Sequence, residues 1–158
     1  MTSLVSGMPG QNVEPPVTLV WIDARQAVVA RWERGSVQVE RIAGELPPHD
    51  RTVGHTRRNP LIRHGGGQPQ TRLDHRRQEA EHAYLEAVTA HVAGDGAVEV
   101  IGSGPMRHHL ARRLRAQARP GVPRPVHTAP ADQLTEAQIV ARLRELAGHP
   151  PARQSSAR

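Results

Sequence analysis

Val17-Thr-Leu-Val-Trp-Ile-Asp23 is the run that settles the architecture. A near-continuous apolar stretch of this length leaves no face for water, so it reads as a central strand covered on both sides. Two more strands follow at short range. Ala27-Val-Val-Ala-Arg-Trp32 is the second, Gly35 marks a tight turn, and Ser36-Val-Gln-Val-Glu-Arg-Ile42 alternates as a half-exposed third. Together they read as an antiparallel meander.

Past the meander the periodicity changes. Arg72 to His91 has a helical pattern, with Leu73, Ala80, Tyr84, Ala87 and Val88 expected on one apolar face. Asp95-Gly96 turns the chain into a short apolar strand, Ala97-Val-Glu-Val-Ile101. Gly102-Ser-Gly-Pro105 then opens a helix carrying Met106, Leu110 and Leu114, which ends before Pro120. Arg124-Pro-Val-His-Thr128 is an expected edge strand. Thr135-Glu-Ala-Gln138 has the spacing of a capping box ahead of Ile139, Val140, Leu143 and Leu146, with Gly148 as the stop. The order β-β-β-α-β-α-β-α predicts an α/β fold. It is a five-stranded mixed sheet flanked by helices on both faces, reached by right-handed crossovers, in the ribonuclease H-like arrangement. One domain is expected over 16–148, with residues 1–15 a disordered N-terminal segment and 149–158 a flexible tail.

Composition narrows the chemistry. The 158 residues contain no Cys and no Phe, so a zinc-thiolate site, a disulfide framework and a thiol nucleophile are excluded. No apolar stretch approaches membrane-spanning length and the N-terminus has no basic-then-apolar leader pattern, so a cytoplasmic protein is expected. Net charge is +6 and every one of the 21 basic residues is arginine. The planar guanidinium fork suits phosphate, which makes a polyanionic partner plausible. Base composition of the gene is the competing reason for the missing lysines, although it does not place the arginines.

Four constellations compete for the chemistry. Asp23 with Glu79 or Glu81 could begin a two-metal nuclease site, but the fourth strand ends Ile101-Gly102-Ser103-Gly104 without the further acid that such a site needs. Asp23 then reads as a strand-end turn residue. Gly102-Ser-Gly-Pro105 could cradle phosphate at a helix start, yet it lacks the lysine of a P-loop and the third glycine of a dinucleotide fingerprint. None of the ten histidines has convincing ligand spacing, and no serine has a placeable His–Asp partnership. No metal and no cofactor is expected. A second basic cluster, Arg107, Arg112, Arg113 and Arg115, is either a solvated helix face or a surface for RNA phosphate.

The remaining feature is the break between the meander and the first helix, residues 43–71. It holds Pro47, Pro48 and Pro60, a set of arginines, and the run Arg63-His-Gly-Gly-Gly-Gln68. A structureless connection of this length inside one domain is usually functional or disordered. Gly66 and Gly67 give the backbone access to φ > 0, and Gln68 adds an amide that both donates and accepts. Pro69 should bias Gln68 towards extended conformations.

This run, the Arg72-Leu-Asp-His-Arg-Arg-Gln-Glu-Ala-Glu-His-Ala-Tyr84 helix and Val98-Glu-Val-Ile-Gly-Ser-Gly-Pro105 together resemble the middle domain of archaeal and eukaryotic class-1 peptide release factors and of their bacterial relatives. The resemblance extends in the same element order from about Val17 to Gly148. It implies that the Gly66-Gly67-Gln68 loop enters the peptidyl-transferase centre, where the Gln68 backbone N–H stabilises charge on the peptidyl-tRNA ester as water attacks. It implies large-subunit rRNA and peptidyl-tRNA as partners, contacted by Arg58, Arg63, Arg72, Arg76 and Arg77; Arg57, His64, Arg112 and Arg113 are further candidate RNA-binding residues. Gly65 replaces the basic residue usual before the two glycines, and Pro69 a small polar one. The chain carries no stop-codon-reading or GTPase-partner domain, so the expected activity is codon-independent release on stalled ribosomes. A separate recognition partner is left open. The alternative expectation is a non-catalytic, hibernation-type ribosome binder.

Overall fold

The computed structural model describes residues 15–47, 68–92, 94 and 96–148. The elements are β1 (Val17–Ile22), β2 (Gln26–Glu33), β3 (Ser36–Ala43), α1 (Gln68–His91), β4 (Ala97–Gly102), α2 (Met106–Ala116), β5 (Val126–Pro130) and α3 (Glu136–Leu146). They form one five-stranded sheet in the order β3-β2-β1-β4-β5. The β1-β2-β3 meander is antiparallel, and β4 and β5 join parallel to β1. This is the α/β, ribonuclease H-like sheet expected from the element order.

Alternation along the strands divides the core in two. Val20, Ile22, Ala27, Val29, Val98 and Val100 face α1 and α2. Leu19, Trp21, Val28, Ala30 and Ile101 face α3 through Ile139 and Leu143. Strand β1 is thus buried on both sides, as its unbroken apolar run requires. Arg34 and Gly35 link β2 to β3 with φ of 52° and 79°. Positive φ at both positions is the type I′ geometry that follows strand twist, and Gly35 takes it without strain.

Two charged or polar groups lock α3 to the sheet. Arg142 makes a two-pronged contact with Glu99 on β4, Nε to Oε2 at 2.9 Å and Nη2 to Oε1 at 2.6 Å. That hydrogen bonding to a carboxylate holds the Arg142 pKa above the ordinary guanidinium value. The Trp21 indole N–H donates to the Asp132 carbonyl at 2.9 Å, just before the helix. The helix itself starts on the expected capping box, the Thr135 side chain accepting from the Gln138 N–H and Gln138 reaching back to the Thr135 N–H.

Helix α1 departs from the sequence reading in two ways. It begins at Gln68, four residues before the expected Arg72, with Pro69 inside its first turn. A first-turn residue needs no N–H partner within the helix, so proline is tolerated there and Gln68 is helical where an extended conformation was expected. Its apolar face is also shorter than expected. Burial starts at Tyr84 and continues through Leu85, Val88, Thr89 and Val92, while Leu73 is 52 % exposed. The reason is length: 24 residues span about 36 Å at 1.5 Å per residue, whereas the six residues of β1 span roughly 20 Å. The N-terminal half has no sheet to pack on.

Candidate functional site

Gly66, Gly67, Arg57, Arg58, Arg63 and His64 lie outside the described residues, as do all but the last residue of the expected 1–15 segment and the whole 149–158 tail; of Gln68 only the backbone is described. Before the gap, the chain leaves β3 along the domain. Gly44 N–H donates to the Arg25 carbonyl at 2.7 Å, and Arg77 Nη1 donates to the Pro47 carbonyl at 3.1 Å. After the gap it returns as the first residue of α1. Arg77 lies nine residues further along that helix, about 13 Å from its start at 1.5 Å per residue.

The described arginines divide by what they already hold. Arg72 and Arg76, one turn apart on the unpacked half of α1, are exposed and make no hydrogen bond or ion pair among the described residues. Arg112 on α2 is likewise exposed and unpaired. Arg77 is half-buried against the Pro47 carbonyl. Arg113 is half-buried, its Nη1 3.2 Å from His82 Nδ1 on α1. Arg107 and Arg115 donate to the Gly102 and Val126 carbonyls at 2.7 Å each. The apparent cluster on α2 is therefore mostly engaged in fastening the helix to β4, β5 and α1. Helices α1 and α2, which carry Arg72, Arg76 and Arg112, pack in one layer on the same face of the sheet.

Of the residues weighed as a nuclease site, Asp23 and Glu81 come together, whereas Glu79 is exposed and paired with His75. Asp23, Arg25, Arg77, Glu81, Ser103 and His109 line a hollow of about 520 Å³ where β1 and β4 end and α2 begins. Asp23 is the turn residue expected: its Oδ1 accepts from the Arg25 and Gln26 N–H groups at 2.7 and 2.8 Å. Glu81 Oε1 is 2.5 Å from His109 Nδ1 across the α1–α2 boundary. Among the described residues no three side chains of ligating type converge on a metal position. Behind the hollow, the Tyr84 hydroxyl donates to the Asp23 carbonyl at 3.1 Å. Burial and, secondarily, the Asp23 carboxylate push the Tyr84 pKa well above that of an ordinary phenol.

Sequence reasoning names Asp23, Glu81 and Ser103 but assigns them to no site, reads His109 as a surface residue, and does not single out Arg25. Arg25 reads as any hairpin arginine. His109 gains meaning only once α2 lies beside α1, a contact between residues 28 apart that no local pattern encodes.

No family model matches the chain, and no curated protein matches it. Solved structures do. The crystal structure of Archaeoglobus fulgidus Pelota aligns at TM-score 0.42 and 10 % identity over 85 % of this chain. An archaeal translation termination factor, aRF1, aligns at TM-score 0.41 and 13 % identity over 84 % of it. The chain spans about a third (34 %) of the length of either protein. No helix among the described residues is long and apolar enough to cross a membrane.

Proposed function

We propose that this chain is a ribosome-associated, codon-independent release or rescue factor that hydrolyses the peptidyl-tRNA ester through Gly66-Gly67-Gln68. The observation that carries the reading is positional. The tripeptide runs straight into the first turn of α1, and that part of the helix exposes Arg72 and Arg76 instead of packing them. A peptide delivered at the end of such a helix can approach an RNA cavity without pulling the core apart, and free guanidinium groups alongside it suit phosphate.

In this mechanism the Gln68 main-chain N–H faces the oxygen that gains charge as water attacks the ester carbonyl, and the two glycines allow the backbone to approach without a Cβ clash. The glutamine side chain discriminates among nucleophiles in favour of water. Proton transfer is left to RNA and substrate hydroxyls, so no general base of the protein is required. Large-subunit rRNA and peptidyl-tRNA are the partners, with the action in the cytoplasm.

The test is release of labelled peptide from ribosomes stalled on messages lacking a stop codon. The chain should release peptide, and Gly67→Ala should lower the rate on the order of a hundredfold, the scale of losing one oxyanion donor. Release that survives replacement of all three residues would overturn the mechanism. Binding to vacant ribosomes without release, indifferent to Gly67→Ala, would instead identify a hibernation-type binder.

A further inference from the structure

The hollow at the ends of β1 and β4 plays no part in ester hydrolysis as proposed, yet its lining is not that of a random surface dent. We infer that it is a binding site for one unpaired nucleotide, base and phosphate together, with a preference for guanine. The argument begins from unused hydrogen-bonding groups. Glu81 commits only Oε1, to His109, and Asp23 only Oδ1, to its own turn; Oε2 and Oδ2 accept nothing among the described residues. Arg25 is exposed, and neither its guanidinium nor the Ser103 hydroxyl has a partner among the described residues. Arg77 spends Nη1 on the Pro47 carbonyl, which fixes the plane of its guanidinium while leaving other N–H groups open.

Such a lining carries acceptors and donors in near balance. A bare anion would meet two carboxylates, and a bare cation two guanidinium groups, so neither is well matched. A nucleotide is. A guanine edge presents N1–H and an amino group to a carboxylate and O6 and N7 to an arginine, which Glu81 and Arg77 can meet. Its phosphate then has Arg25, Ser103 and the start of α2, where the N–H groups of Met106 and Arg107 have no acceptor among the described residues and no acidic side chain occupies the first turn. Met106, 5 % exposed, and the exposed Pro105 supply an apolar wall for the base. A volume of about 520 Å³ lies within the usual range of small-ligand sites. Position agrees too, since ligands of open α/β sheets lodge beyond the carboxyl ends of parallel strands.

The same chemistry could come from a free nucleotide or from a splayed-out residue of an RNA strand, and the test separates them. The full chain, labelled with 15N, is titrated with guanosine monophosphate, uridine monophosphate, inorganic phosphate and a short single-stranded RNA containing one guanosine. Saturable shifts at the amides of Arg25, Ser103, Met106 and Arg107 are expected with guanosine monophosphate. Uridine monophosphate, which has no amino group for Glu81, should bind about tenfold more weakly, as should phosphate alone. Tighter binding of the RNA than of the mononucleotide would assign the site to RNA, and equal binding to a free nucleotide. Glu81→Gln should erase the guanine preference without weakening phosphate binding, whereas Arg25→Gln should weaken every probe. Absence of saturable shifts at millimolar guanosine monophosphate, or binding indifferent to both Arg25→Gln and the hollow-filling Ser103→Phe, would overturn the inference. Ribosomes are absent from the titration, so its failure and failure of peptide release are separate results.

Discussion

Tyr84 joins the helix layer to the turn after β1, and it is the only tyrosine in a chain with no lysine or cysteine. Its pKa in the folded protein is raised above the unfolded value of about 10, through burial first and the Asp23 carboxylate second. A raised pKa means that the stability from keeping the phenol neutral is fully present below pH 10 and is lost as pH climbs beyond it, because the unfolded chain ionises first. Resistance to denaturant should therefore weaken from about pH 10 upward, and Tyr84→Phe should flatten that limb while costing about 1 kcal/mol at neutral pH for the lost hydrogen bond. Phenolate absorbance should appear only together with unfolding. Gly102 illustrates what single residues conceal. It reads as the glycine of a strand-to-helix turn, and its φ is 147°. Its stronger constraint is that a Cβ there would lie 2.0 Å from the Ile22 carbonyl oxygen, a backbone 80 positions earlier.

Among the elements, strand order and helix count were legible because each carries its own period, and the Thr135–Gln138 cap because it is wholly local. The extent of packing on α1 was not. Leu73 fits the apolar stripe as well as Tyr84 does, and only the finite width of the sheet decides that one is exposed and the other buried. Substitution should expose that difference. Leu85→Ala should cost about 2–5 kcal/mol, as for a truncated core leucine, while Leu73→Ala should change stability by no more than about 0.5 kcal/mol. Chemical denaturation of the two variants measures both.

For the molecule as a whole, the sheet topology followed from a meander feeding parallel crossovers, and the proposed chemistry from one tripeptide in its setting. What sequence could not divide was the arginines. Fourfold repetition on α2 suggested a basic face, but Arg107 and Arg115 are held by backbone carbonyls and Arg113 by His82, commitments made across 5 to 31 positions. If Arg72, Arg76 and Arg112 meet RNA phosphate, each replacement by alanine should reduce the slope of log affinity against log salt by about 1. Arg115→Ala should chiefly lower stability instead. Ribosome cosedimentation across a salt series distinguishes the two effects.

The uneven seating of α1 has a mechanical side. Its rear portion is packed against both the sheet and α2, and its front has little support among the described residues besides its own ladder, which is the arrangement of a cantilever whose free end is Gln68. Amide protons of its first three turns should exchange with deuterium through local fraying, and those after Tyr84 only when the whole domain opens. If Gly66 and Gly67 act as proposed, their aim would be set by a beam anchored at one end.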